Sequence, residues 1–64
     1  MAMKNRLGLV LLAQGMHQNE LARKVNVEPT TIHHYVHGKR EPNIEMALHI
    51  AKALGVKVED IWQL

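Results

Sequence analysis

Two helical patterns lie almost end to end between residues 18 and 37, and this closeness constrains the fold more than any other feature. In each pattern the apolar residues recur at the spacing of one helix face: Leu21, Ala22 and Val25 in the first, and Ile32, Tyr35 and Val36 in the second. Only about three residues, 26 to 28, connect the patterns. So short a connection cannot lay two helices side by side over much length, and it favours a steep crossing with the small Ala22 at the crossing point.

The residues at the ends of these patterns indicate the same arrangement. Asn26 tolerates the left-handed conformation that a sharp exit from a helix requires. Pro29 suits the first turn of the following helix, and Gly38 provides its end. We therefore predict a helix-turn-helix unit at about residues 18 to 37.

Helical spacing also dominates the rest of the chain. The first segment carries one apolar stripe, ended by Gly15: Met3, Leu7, Val10 and Leu11. Pro42 and the capping residue Asn43 introduce a fourth helix. Its predicted inward residues, ahead of a stop at Gly55, are Ile44, Ala47, Leu48, Ala51 and Leu54.

A short fifth helix from about Val58 to Gln63 would pack Ile61 against the others. No stretch alternates strictly enough to predict a strand. We predict a single all-α domain over residues 1 to 64, with five helices and no sheet.

Composition narrows the class of protein. The chain has 64 residues and no cysteine, so it holds neither a disulfide nor a thiolate metal site. Its longest apolar run, at residues 7 to 13, is too short to span a bilayer, and the ordered regions of a signal peptide are absent. We therefore predict a cytoplasmic, nucleoid-associated protein. A net charge of +2 with five histidines is compatible with nucleic acid but does not establish it.

The combined pattern resembles the Cro/cI-type helix-turn-helix family of transcriptional regulators. The residues that carry the resemblance are Gln18, Leu21, Ala22, Ile32, Gly38, Lys39, Pro42 and the Ala-Leu-Gly-Val run at 53 to 56. The resemblance covers residues 4 to 62 and implies a five-helix, lambda-repressor-like DNA-binding domain with a helix-turn-helix, without enzymatic activity or cofactor.

The chain departs from the family pattern at several positions. Asn26 stands in place of the usual turn glycine, and Glu28 replaces the usual Ser or Thr cap of helix three. Lys57 replaces a serine before helix five. Leu11 and Val36 occupy positions where relatives often carry a buried Arg–Glu pair, and such a pair can be exchanged for apolar packing when both partners change together.

The resemblance also implies which residues meet DNA. Contacts to base edges are expected from the start and outer face of helix three: Glu28, Pro29, Thr30 and His34, flanked by Thr31 and His33. Contacts to phosphates are expected from Gln18, His37, Lys39 and Arg40. The outer face of helix three carries hydroxyls and imidazoles and no carboxylate, which suits a groove lined by phosphates.

The residues of helix three allow two other interpretations. The outer face of helix three could be an idle solvated surface. His33 and His37, one helical turn apart, could hold a metal ion, but no acidic third ligand or second pair is evident nearby, so we predict no metal site. No catalytic triad or Cys/His set with a plausible pocket is visible.

Leu9 and Leu12 are predicted to lean toward solvent, beside Gly8. They either cover the edge of a small core or contact another chain, which Gly8 would allow to approach closely. A module this small makes few base contacts, so we predict a homodimer on a palindromic operator that represses by occupancy, with no small-molecule effector. We place the dimer surface at the C-terminal helix with Trp62 and Leu64. The competing class is an interaction module, antitoxin-like or anti-repressor, that does not read DNA.

Overall fold

The computed structural model describes residues 4 to 64 and contains the five predicted helices. The elements in chain order are β1 (Lys4–Asn5), α1 (Leu7–Gln14), α2 (Gln18–Val25), α3 (Pro29–Val36), α4 (Ile44–Leu54), α5 (Val58–Ile61) and β2 (Trp62–Gln63). The predicted ends of the first four helices are confirmed, since Gly15, Asn26, Gly38 and Gly55 all adopt positive φ angles.

Each helix contributes one large, fully buried side chain to a single core. These five residues are Leu7, Leu21, Ile32, Ile50 and Ile61. Burying an aliphatic side chain of this size stabilises the fold by roughly 1.5 to 3 kcal/mol. All five helices therefore share one core, as expected because a chain of this length is too short to form two.

The predicted inward face of α4 is wrong at two positions. Ile44 is 71% exposed and Leu48 is 56% exposed, whereas Ile50, which was not predicted, is fully buried. Ala47, Ala51 and Leu54 are buried as predicted. The apolar surface of α4 is wider than the core can cover. The predicted residues Ile44 and Leu48 lie at the edge of that surface and not at its centre.

The prediction of no sheet is also wrong. β1 and β2 pair antiparallel, with Lys4 opposite Gln63 and Asn5 opposite Trp62. The predicted fifth helix therefore ends at Ile61, and its last residues form β2 instead. Strands of two residues are too short to produce an alternating pattern in the sequence.

Asn5 ties this short sheet to the helices. Its side-chain amide donates to the carbonyl oxygen of Tyr35 at the end of α3, and its Oδ1 accepts from the N–H of Leu7 at 2.9 Å. The predicted helical position of Met3 lies outside the described residues. Trp62 is buried in the core and lies in β2 rather than in the predicted fifth helix.

Gly8 approaches another helix of the same chain. A Cβ atom built on Gly8 would lie 3.3 Å from Cγ1 of Val36, so α1 passes close to the end of α3. The close approach that Gly8 permits therefore occurs within the chain. Leu9 and Leu12 are exposed, at 65% and 77%, as the sequence predicted.

Candidate nucleic-acid interface

The turn between α2 and α3 is fixed by backbone hydrogen bonds. Asn26 ends α2 at φ 60 and ψ 49, and the N–H of Val27 donates to the carbonyl of Ala22 at 3.0 Å. Ala22 is buried at the crossing, as its small size predicted, and Pro29 begins α3. This geometry holds α3 across α2 with one face in the core and the other on the surface.

The residues predicted to contact bases lie at the start and on the outer side of α3. Glu28, Pro29, Thr30 and His33 are exposed, whereas Thr31 and His34 are half-buried. The opposite side of α3 is occupied by Ile32 and Tyr35, which are both buried. The helix itself contains no acidic residue, and the one carboxylate beside it belongs to Glu28 before its first turn.

The residues predicted to contact phosphates lie at two separate helix ends. Gln18 is the first residue of α2 and is half-buried. His37 ends α3, and both Lys39 and Arg40 are exposed in the turn that follows. The N–H groups of Lys39 and Arg40 donate to the carbonyl of His34, at 2.9 and 3.4 Å, so this turn folds back onto the end of α3. Two cations are thereby held beside the surface that carries the histidines.

The three histidines of this surface form a cluster. The ring centroids of His33 and His37 lie 4.3 Å apart, and those of His33 and His34 lie 6.4 Å apart. Partial desolvation, followed by the positive charges of His37, Lys39 and His34, lowers the pKa of His33 below its usual value of 6.5. Together with Lys39 and Arg40 of the following turn, the cluster makes this surface basic.

Two acidic residues near the interface, Glu20 and Glu28, differ in their relation to the helix ends. The carboxylate of Glu20 accepts from the N–H of His17 at 3.3 Å, which compensates in part for the missing side-chain cap of α2. Glu28 makes no side-chain capping bond to α3. The sequence had indicated the weak cap at Glu28, where relatives usually carry Ser or Thr.

Two exposed cations on α2 were not among the predicted site residues. Arg23 and Lys24 lie in the last turn of α2 and, with Glu20, line a shallow groove of about 320 Å³. Arg23 and Lys24 follow Glu20 at i+3 and i+4, which is the usual spacing of charges on a solvated helix face. This pattern alone therefore does not mark them as DNA contacts.

A larger groove of about 470 Å³ lies between α2 and the start of α4, lined by both apolar and charged residues. Within residues 4 to 64, no three histidine, cysteine or acidic side chains are grouped as a metal site requires. No helix within residues 4 to 64 is long and apolar enough to cross a bilayer.

Comparison with known proteins agrees with this geometry. The helix-turn-helix family profile matches residues 7 to 61. Two uncharacterised HTH-type transcriptional regulators each match 60 residues, or 94% of this chain. The one from Methanocaldococcus jannaschii is 40% identical with 91% of its length covered, and the one from Archaeoglobus fulgidus is 35% identical with 86% covered.

Solved structures share the fold. A protein of Bacteroides fragilis superposes with a TM-score of 0.89 at 24% identity, over 95% of this chain and 98% of the other. A transcriptional regulator from Listeria innocua superposes with a TM-score of 0.84 at 19% identity, over 97% of this chain and 60% of the other. With the family match over nearly all of the chain, these findings show that this protein belongs to the Cro/cI-type helix-turn-helix family of DNA-binding transcriptional regulators, which are not enzymes.

Proposed function

We propose that this protein binds a specific double-stranded DNA operator as a homodimer and represses transcription by occupying it. The observation that carries the proposal is the outer surface of α3. That surface displays hydroxyls and imidazoles, the helix contributes no carboxylate, and a turn with two cations is held against its end. DNA attracts such a surface through its phosphates and offers acceptors and donors to its polar groups.

In this mechanism α3 enters the major groove. The exposed hydroxyl of Thr30 and the imidazole of His34 lie within reach of base edges, where a good contact discriminates between bases by about 1 to 3 kcal/mol. The other proposed base contacts come from the same end and side of the helix: Glu28, Pro29, Thr31 and His33. Partial burial of His34 restricts the directions that its ring can adopt, which favours one base over others.

Phosphate contacts position the helix. Lys39 and Arg40 lie beyond the last turn of α3, and they are suited to the DNA backbone together with His37. Gln18 stands at the start of α2, where free backbone N–H groups and the helix dipole favour an anion. The two groups of contacts would grip the backbone on either side of the groove that α3 occupies.

A single copy makes few base contacts, so we propose two copies related by a two-fold axis on a palindromic site. The half-sites would then lie one helical turn apart, or roughly 34 Å. The bound dimer represses by obstructing polymerase at the chromosome, and we propose no small-molecule effector for this chain.

A second candidate function is a protein-interaction module. It is favoured by the match to multiprotein-bridging factor 1 of Eremothecium gossypii, which is 40% identical over 45 residues, or 70% of this chain and 30% of that protein. An interaction module of this kind would bind random duplex DNA at low salt weakly or not at all, and without preference for sequence.

Selection from a random duplex pool would define the operator. Single substitutions would then separate residues that recognise bases from residues that contact phosphates. His34→Ala and Thr30→Ala should each weaken operator binding roughly 5- to 150-fold and leave scrambled DNA almost unchanged. Lys39→Ala should weaken both and reduce the slope of log affinity against log salt by about 1. Fluorescence anisotropy at several salt concentrations measures all of these effects.

The matched control is His49→Ala, which removes an exposed histidine from α4 and should change neither affinity. Thermal melts of each variant show whether the half-buried His34 is needed for folding. If Thr30→Ala and His34→Ala lower operator and scrambled affinities equally, α3 does not read the sequence and the proposed base contacts are wrong.

A further inference from the structure

Helix α4 has an apolar surface that nothing in the described chain covers. Ile44 and Leu48, one turn apart, are 71% and 56% exposed. Large aliphatic side chains exposed together in this way commonly mark a contact with another molecule. Next to them is a groove of about 190 Å³ with a mainly apolar lining, formed by Pro42, Ile44, Ala47, Val58 and Trp62.

Charged residues stand at opposite ends of this surface. Glu45 lies in the first turn of α4 and Lys52 in the last, and both are exposed. At 3.6 residues per turn the two side chains point within about 20° of each other, on the solvent side of Leu48. The edge of the apolar surface is therefore acidic at one end and basic at the other, with Leu48 near its midpoint.

We infer that α4 is the surface on which a second copy of this chain docks, with the two α4 helices antiparallel and Leu48 at the two-fold axis. Antiparallel pairing brings Glu45 of each copy to Lys52 of the other, so that both charge pairs form at once. Because Glu45 precedes Leu48 by three residues and Lys52 follows it by four, the paired charges differ in height by only about 1.5 Å along the axis. Parallel pairing would place like charges together.

Helix α1 is the other exposed apolar surface, and it lacks this complementarity. Leu9 and Leu12 are also exposed, but α1, of sequence LGLVLLAQ, contains no charged residue that could fix the orientation of a partner. The close approach of Gly8 is already taken by Val36. The charges of α4 specify a self-complementary contact, whereas α1 has no charges that could specify one.

The size of the surface sets the strength of the contact. Two large aliphatic side chains per copy, with the adjoining groove, offer far less than the roughly 800 Å² that each partner buries in a stable standard interface. The dimer should therefore be weak in free solution.

This inference rests on the proposed two-fold function, but it is tested without DNA. Sedimentation equilibrium of the full chain should show a monomer–dimer equilibrium at high micromolar concentration and low salt. Leu48→Ala should raise the dissociation constant roughly tenfold or more, because each copy loses a buried aliphatic contact. The matched control is Leu12→Ala, since Leu12 is an even more exposed leucine on α1, and this change should leave the constant unchanged.

Charge exchange provides the sharper test. Glu45→Lys alone and Lys52→Glu alone should each weaken the dimer, because like charges then face each other twice. The double variant E45K/K52E restores the opposite charges and should recover dimerisation to within a few-fold of the native chain. Circular dichroism melts of these exposed-site variants confirm that each one folds.

Several outcomes would overturn the inference. They are a chain that stays monomeric to millimolar concentration, a dimer weakened by Leu12→Ala and not by Leu48→Ala, and a double charge variant no stronger than the singles. If Thr30→Ala keeps the dimer intact and lowers operator and scrambled affinities equally, that result would instead count against the proposed function alone. The two failures are thus distinguishable.

Discussion

Gly8 shows how a single missing side chain decides the distance between two helices. A Cβ at this position would lie 3.3 Å from Cγ1 of Val36, which is tighter than ordinary van der Waals contact. Relative to alanine, a glycine inside a helix costs about 1 kcal/mol, so Gly8→Ala brings a gain in helix propensity and a steric cost together. Which effect prevails depends on whether Val36 is present.

We expect the two substitutions to be coupled. Gly8→Ala in the native chain should change the free energy of unfolding little or lower it, whereas in a Val36→Ala background it should raise it by about 1 kcal/mol. Urea denaturation of the four members of the cycle measures the difference. Gly15→Ala is the control, because Gly15 has a φ of 65 and no atom within 4 Å of an added Cβ, so its cost should be equal in both backgrounds. An identical effect of Gly8→Ala in both backgrounds would contradict the contact.

At the residue scale, the sequence predicted those positions whose requirements are local. Asn26 was identified because few side chains tolerate a left-handed turn, and Ala22 because a steep crossing needs a small residue. The contact between Gly8 and Val36 was not predicted. The two residues are 28 positions apart in the sequence and belong to different helices, so no local pattern indicates their contact.

Among the helices, the caps differ in how their first N–H groups are satisfied. Asn43 caps α4 directly, since its Oδ1 accepts from the N–H of Met46 at 2.8 Å. His17 and Lys57 make no such bond, and the later acidic residues Glu20 and Asp60 accept from their N–H groups instead. The start of α4 therefore depends on one side chain more than the starts of α2 and α5 do.

Asn43→Ala should lower the free energy of unfolding by about 1 kcal/mol, because it leaves the N–H of Met46 without its partner. Asn43→Asp or Asn43→Ser should retain most of the stability. His17→Ala is the matched control, since its backbone is similarly extended but its side chain makes no capping bond. Equal losses from Asn43→Ala and His17→Ala in urea melts would show that the cap of α4 contributes nothing special.

The elements also show where sequence patterns stop being informative. Five helices were predictable from periodicity and end residues, but the centre of the buried face of α4 was not. The apolar surface of α4 extends over both its core face and Ile44 and Leu48, so its periodicity alone cannot tell burial in the core from availability to a partner. β1 and β2 are determined by the meeting of the two chain ends, which is a tertiary event.

For the whole molecule, charge is concentrated by the fold rather than by composition. The net charge is only +2, yet α3 and the following turn bring together three histidines and two further cations. The resemblance to a known family supplied the roles of these residues, since spacing alone also fits an idle solvated face. The sequence placed His33 and His37 one helical turn apart, and the structure adds that their rings lie 4.3 Å apart at a tilt of 49°.

The cluster predicts a pH dependence with opposite signs for folding and for binding. The pKa of His33 in the folded protein is lowered by desolvation and by its cationic neighbours, so the unfolded chain binds a proton more readily. Stability should therefore be undiminished above about pH 6.5 and should decline as the pH falls below it. The decline should be absent in His33→Ala.

DNA reverses the sign for binding. Phosphates close to the cluster favour the protonated imidazole, so binding raises the pKa of His33 and takes up a proton. Operator affinity should rise as the pH falls from about 8 to 6, by at most about tenfold per pH unit for each proton taken up. Anisotropy titrations at fixed salt measure this rise, which should be reduced in His33→Ala and unchanged in His17→Ala and His49→Ala, whose histidines lie on other elements. A flat profile in the native protein would show that the histidines of α3 take up no proton on DNA, and that any contact they make with it is made by neutral rings.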